Sequence, residues 1–461
     1  MKHSTKSGEF AYQAVYRYLM ELITPMAPGS GGKLPSLRDL ARRLEVSIST
    51  VQYAYTLLEH EGRVQSVPKS GYFARGTDAS VPVTGAEPLW QVLQQAGAAQ
   101  FMAPHGTHAL PSLEASLLGI ERQLLRQYPR AGAQVHPYGE LELRTVLAAR
   151  YTRSVHRCWN AEDVYLAVDL CSLFETLVAA LDLGGSPILV ATPCSWRLLG
   201  ILRMTGLRVI ELPLGDDGSL DLERFAGLLT RESVRLVMLS SQLNCPHGSL
   251  IPVAQHPAIA ALLDHHGAWL LENDLDAEYC FTRPTACLRD VVDPERLLVF
   301  SSLERTVGVE VPFAYLLARH ARRALQRRFL ARGFRLPPLR QQAVARLYAK
   351  GTVDLHLEHM RGRMRERVSH LYRQMQVHLG AQLQFQMPAG GASIWAQVRA
   401  PVDTRQLFQR LLDQGLVITP GELFSLQGQF PRHLRLGWSC GQHGDLQHGL
   451  GLLSQALQRC E

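Results

Sequence analysis

The sequence predicts a multidomain chain: an N-terminal α+β winged helix-turn-helix, then an α/β body closed by a smaller α+β C-terminal subdomain. Three observations predict it. Residues 33–74 carry two short helical stripes, a tight turn and an alternating hairpin. "GTDASVPVTGAEPLW" (Gly76–Trp90) then shows little periodicity and reads as a linker. Beyond it, short apolar runs alternate with helical patterns, as in a mostly parallel sheet covered by helices. The expected boundaries are 1–76 for the head, 77–95 for the linker and 96–461 for the body, whose small part begins near 336. At 461 residues and 46% hydrophobic content, the chain has ample material for a large core.

In the head, "AYQAVYRYLMELITPM" places Ala14, Val15, Tyr18, Leu19 and Leu22 at helical spacing, and "APGSGGKLPS" breaks that helix. Ser36 begins a second helix with Asp39 as its capping-box partner, and Leu37, Leu40, Ala41 and Leu44 form its buried stripe. After a turn at Glu45-Val46-Ser47, "SISTVQYAYTLLEHEG" reads as a third helix that buries Val51, Ala54, Tyr55 and Leu58 and ends at Gly62. Its other faces carry Ser49, Thr50, Gln52 and Tyr53 near the N-terminus. Short hydroxyl and amide side chains there suit base edges and phosphates in a major groove. "GRVQSVPKSGYFARG" reads as a two-stranded wing whose Lys69 and Tyr72 would meet the DNA backbone or minor groove. Charge agrees: residues 1–76 hold ten Lys/Arg against six Asp/Glu, over half of the chain's +7 excess.

In the body, "DVYLAV", "SPILVATP", "LRVIELPL", "VRLVMLSS", "AWLLEND" and "RLLVFSS" read as strands, with "SLFETLVAAL", "RLLGILRMTG" and "IAALLDHHG" as helices between them. From about Leu336 come a long arginine-rich helix, "DLHLEHMRGRMRERVSHLYRQMQVHL", then "GGASIWAQV" and "GLVITPGELF", consistent with a smaller α+β subdomain. The basic run in that helix reads as a solvated face. No stretch of eighteen apolar residues occurs and the N-terminus has no apolar signal core, so no membrane partner and a cytoplasmic location are expected. The eight cysteines show no CxxC pair and the histidines, including His265-His266, no ligand spacing; reduced thiols and no metal are expected.

"KLPSLRDLARRLEVSISTVQYAYTLLEHEG" followed by "KSGYF" resembles the DNA-binding domain of the GntR family of bacterial regulators. The resemblance implies double-stranded DNA as partner and puts Arg38, Ser49, Thr50, Lys69 and Gly71 at DNA-contacting positions. With Lys33, Ser36, Ser47, Gln52, Tyr53 and Tyr72 they make up the expected interface. Residues from about 100 onward resemble the fold-type I aminotransferases through "VHPYGELELRTVLAARY", "VATPCSW", "LSSQLNCPHG", "LLENDLDAEY", "VFSSLERT" and "PRHLRLGWS". The full order resembles the MocR subgroup of GntR regulators, which implies a homodimer with "HALPSLEASLLGIERQ" near the dimer contacts.

Enzymes of that fold use pyridoxal phosphate, whose aldehyde needs a lysine amine and whose ring nitrogen needs a carboxylate. By the resemblance, the lysine falls on Arg305, and a guanidinium stays protonated and forms no Schiff base. The carboxylate falls on Asn273, with Leu275 or Asp276 at the neighbouring tyrosine's place. The phosphate turn falls on Val168-Asp169-Leu170-Cys171, where Asp169 would repel phosphate. The stacking aromatic falls on Ser195, with Trp196 next to it, and the phosphate-holding arginine on Glu310 to Pro312. Cofactor binding and catalysis are therefore expected to be lost, leaving a regulator with no catalytic residues. Arg435 in "HLRLGW" stands where the family holds a substrate carboxylate. With Arg305, Asn273 and Tyr138 it would line a cationic cleft for a small anionic effector. Two alternatives stay open: a regulator with residual or unconventional cofactor binding, and one whose body docks a partner protein.

Overall fold

The structure is a computed structural model that describes residues 11–23, 32–60, 64–67, 71–74, 112–127, 135–154, 157–282, 286–437 and 446–458. The chain divides into two compact units, Met1–Pro88 and Leu89–Glu461. The linker expected over 77–95, the helix end at Gly62 and the wing residue Lys69 lie outside the described residues.

The first unit holds α1 (Ala11–Ile23), α2 (Leu37–Leu44), α3 (Ile48–His60), β1 (Val64–Val67) and β2 (Gly71–Ala74). Its core gathers Val15 and Leu19 of α1, Leu40 of α2, and Val51, Ala54, Tyr55 and Leu58 of α3, all fully buried. β1 and β2 form an antiparallel hairpin with Val64 opposite Ala74, and Lys33 adds a bridge to Phe73. The start of α2 departs from a reciprocal capping box. Ser36 Oγ accepts from the Asp39 amide at 3.2 Å, but the Asp39 carboxylate accepts the Ser36 hydroxyl at 2.6 Å. An aspartate is one carbon shorter than the Glu or Gln of a full box, and here its carboxylate bonds the nearer hydroxyl.

The second unit is built on a seven-stranded sheet in the order β3-β9-β8-β7-β6-β4-β5. Its strands are β3 (Val164–Ala167), β4 (Pro187–Thr192), β5 (Arg208–Pro213), β6 (Leu236–Leu239), β7 (Trp269–Asn273), β8 (Leu297–Ser302) and β9 (Ala314–Ala318). Of these, only β9 runs against the rest, pairing antiparallel with both β3 and β8. Helices cover both faces, so the strands are apolar on both sides. Leu189 and Ala191 of β4 join one core layer while Ile188 and Val190 join the other; Val299 and Phe300 of β8 divide the same way.

A second, antiparallel sheet follows in the order β10-β11-β13-β12, from β10 (Leu383–Phe385), β11 (Ser393–Val398), β12 (Thr419–Pro420) and β13 (His433–Gly437). Within "GLVITPGELF" the strand is only two residues long, Thr419–Pro420. Pro420 has no N–H for a ladder, and a tight 3-10 turn, Gly421–Phe424, takes over. A Cβ at Gly421 would lie 2.6 Å from the Phe430 carbonyl oxygen, so only glycine lets the two backbones approach. The long helix spans Thr352–Leu379 and buries Val353, Leu357, Met360, Met364, Val368, Leu371 and Met375 in one stripe, leaving Arg363, Arg365 and Arg373 outside it. Among the described residues, no helix is long and apolar enough to cross a membrane.

Candidate functional site

In the head, Glu45 makes the turn between α2 and α3 in the left-handed region, with φ 54°. Ser47 caps α3: its Oγ accepts from the Thr50 amide at 3.1 Å and lies 2.8 Å from Ser49 Oγ and 2.6 Å from Thr50 Oγ1. These three hydroxyls form one cluster at the start of the helix. Ser36, Arg38, Ser47, Ser49, Gln52 and Tyr53 are exposed, while Thr50 is half-buried and Lys33 is exposed beside the wing. The buried stripe of α3 thus fixes which side chains remain for a partner.

Gly71 opens β2 with φ 102°, a conformation that favours glycine at the wing. Tyr72 behaves differently from its expected role. Its ring stacks on Tyr55 with centroids 4.2 Å apart, so its flat face belongs to the head's core and only the rest of the side chain remains for DNA. The Tyr55 hydroxyl donates to the Pro35 carbonyl at 2.7 Å, tying α3 to the segment that precedes α2.

In the body, the stretch joining β8 to β9 passes through a 3-10 turn, Leu303–Arg305. The Arg305 guanidinium lies 3.8 Å from Asp276, and that carboxylate is the main reason its pKa is raised. Tyr279 donates its hydroxyl to the Arg305 carbonyl at 2.6 Å. Arg435, on β13, donates from Nε to Ser393 Oγ at 3.1 Å. Burial lowers its pKa; Cys245 and Asp276 oppose that, and the nearby Arg305 adds to it. Burial, with Asp276 beside it, pushes the Cys245 thiol up to about 12, so it stays protonated. Two guanidiniums therefore share this neighbourhood with the Asp276 carboxylate, and Glu304 also acts on Arg305.

The remaining positions turn elsewhere. Asn273 accepts from the Leu275 amide at 3.2 Å, and Leu275 is buried in the core. Asp169 caps the helix Leu170–Ala180, its carboxylate accepting from the Ser172 amide at 2.7 Å. The helix end whose free amides would suit a phosphate thus already holds a carboxylate. Burial first, then Glu175 and Asp169, push the Cys171 thiol upward, which marks this end as acidic. Pro312 is exposed and Trp196 half-buried. Tyr138 is not brought to Arg305 by any described contact. Its ring packs against Tyr165 at 5.8 Å and Phe329 at 6.5 Å, by the sheet-edge strand β3. Among the described residues no group of three or more His, Cys, Asp or Glu gathers as a metal site.

Sequence reasoning missed three buried carboxylates. Glu211 of β5 accepts from Ser425 Oγ at 2.6 Å and from the Leu426 amide at 2.5 Å, joining the large sheet to the loop before β13. Glu272 of β7 meets Arg289 Nε at 2.7 Å, and Asp274 meets the same guanidinium. The signal was a glutamate inside an otherwise apolar strand, which demands a buried partner.

Comparison with known proteins agrees with both units. Residues 122–453 match the family model for class I and II aminotransferases, and residues 11–73 match that of the gntR family of bacterial regulatory proteins. The chain is 23% identical to the uncharacterized HTH-type transcriptional regulator YjiR of Escherichia coli (strain K12), over 97% of this chain and 99% of that one. It is 24% identical to the 2-aminoadipate transaminase of Thermus thermophilus, over 59% of this chain and 70% of that one. Among solved structures, the alpha-aminoadipate aminotransferase LysN from Thermus thermophilus superposes with a TM-score of 0.68 at 20% identity, covering 80% of this chain and 94% of that one. That likeness concerns the fold.

Proposed function

Since this chain belongs to the class I and II aminotransferase family over residues 122–453 and carries a gntR-family DNA-binding head, we propose that it is a MocR-type transcription regulator whose body has lost pyridoxal phosphate chemistry. The observation that carries this reading is Arg305 between β8 and β9, beside Asp276, at the position where the resemblance puts the lysine. Its guanidinium cannot form the Schiff base. The other groups fit the cofactor no better: Asn273 offers a neutral amide to the ring nitrogen, and Asp169 puts a negative charge where the phosphate would sit. Downstream of Lys69 the sequence has one lysine, Lys350, at the end of the helix Pro338–Ala349.

The body then serves to join two heads as a homodimer in the cytoplasm. Paired recognition helices reading successive half-sites multiply affinity and impose a spacing. The two guanidiniums of Arg305 and Arg435 suit a small anionic effector; Asn273 and Tyr138 fall outside that set.

The test is DNA binding measured across a salt series, with and without pyridoxal phosphate, beside the thermal transition of the same samples. Affinity is expected to fall steeply with salt through released counterions. Pyridoxal phosphate is expected to change neither affinity nor transition temperature. A cofactor-dependent shift in both would favour a regulator with residual cofactor binding. Arg305→Lys is expected to restore no covalent cofactor adduct by itself, because Asn273 and Asp169 remain; absorbance during the same titration checks this.

A further inference from the structure

Ile48 is the first residue of α3, and 48% of it is exposed. The head's core takes Val51, Ala54, Tyr55 and Leu58 from this helix and not Ile48, which lies at the edge of that stripe. Among the described residues of this unit, nothing buries this large β-branched apolar side chain. Its neighbours Ser47 and Ser49 are exposed, and Gln52 stands exposed four residues on, one turn along the same face. Ile48 and Gln52 therefore form an adjacent apolar and amide pair on the outward side of the helix that carries the expected DNA contacts.

In a major groove, the distinguishing features of a T·A pair are the thymine C5-methyl and the adenine N7/N6 edge. An apolar side chain contacts the first, and a glutamine amide can bond both atoms of the second. We propose that Ile48 and Gln52 read A·T pairs in each half-site, Ile48 through a thymine methyl and Gln52 through an adjacent adenine. The proposal rests on the DNA-binding reading of the head and adds base identity to it. The hydroxyls of Ser49 and Thr50 and the charges of Lys33 and Arg38 suit the phosphates, which set register but carry no sequence information.

The experiment uses the full-length protein and duplexes with a randomised central region, selected for binding at moderate salt. The wild type is expected to enrich a thymine at one fixed position of each half-site and an adenine beside it. Ile48→Ala is expected to flatten the thymine preference alone, and Gln52→Ala the adenine preference alone. Replacing that thymine with uracil, which lacks only the methyl, is expected to weaken wild-type binding about fourfold, the worth of one buried methyl. The same replacement should leave Ile48→Ala binding unchanged. Both side chains are exposed, so neither substitution touches the core, and circular dichroism of each variant checks this.

Wild-type protein that binds duplex but tolerates uracil without loss overturns the inference and leaves DNA binding intact. The inference also falls if Ile48→Ala keeps the wild-type base preferences. Protein that retains no duplex even at low salt overturns both the inference and the reading beneath it.

Discussion

Tyr55→Ala is expected to abolish DNA binding while leaving the body folded. Tyr55 is fully buried, stacks on Tyr72 of the wing and bonds the Pro35 carbonyl. One side chain thus joins the recognition helix, the segment leading into α2, and the hairpin. Removing a buried aromatic costs about 3–5 kcal/mol, and a core of this size rarely supplies more than that in total. The head should unfold, and limited proteolysis should cut it while the 89–461 unit resists. Tyr55→Phe keeps the ring and loses one hydrogen bond, about 1 kcal/mol, so it should still bind DNA. Unchanged DNA binding by Tyr55→Ala would show that the head does not depend on this junction.

The second large effect belongs to the body. Arg289→Met should lower its unfolding free energy by about 3–5 kcal/mol, because two buried carboxylates lose their cation. The side chains of Arg289, Glu272 and Asp274 are 7%, 0% and 8% exposed, so water cannot replace the lost partner. Tyr151 donates to Asp274 at 2.5 Å but carries no charge. The pH dependence follows from Glu272. Burial pushes its pKa up to about 7, with Asp274 adding to the rise and Arg289 opposing it.

For a carboxyl raised in the folded state, the stabilising contribution is complete below its unfolded pKa and is lost as pH rises through the folded one. Without Arg289 the opposing pull disappears and the folded value climbs further. The variant's deficit should therefore be greater in urea unfolding near pH 8 than near pH 5. An equal deficit at both would mean that the carboxyls do not carry the loss.

The fold was legible where local pattern decides structure. Val51, Ala54, Tyr55 and Leu58 announced the buried face of α3, and the apolar runs of β4 and β8 announced a sheet covered on both sides. Patterns could not announce the partners of charges. Glu272 and Arg289 are distant in sequence and meet only after β7 and the following loop are placed. Tyr72 looked like a surface wing residue because its stacking partner lies on another element. Ile48 was overlooked because an apolar residue at the head of a helix reads as core until the stripe beside it is seen to be complete. In the body, the resemblance pointed to the positions, but not to the bonds they make. That Arg305 has Asp276 beside it, and that Asp169 occupies its helix's amides, are facts of the folded chain.

Loss of the cofactor is the central claim, and covalent trapping tests it most directly. The full-length protein would be incubated with excess pyridoxal phosphate, reduced with borohydride and mapped by peptide mass. The account predicts no stoichiometric adduct in the body, whose one lysine is Lys350, and only partial labelling of lysines in the head. One adduct per chain on Lys350, saturating with cofactor and matched by an absorbance band, would contradict it and return the body to cofactor chemistry.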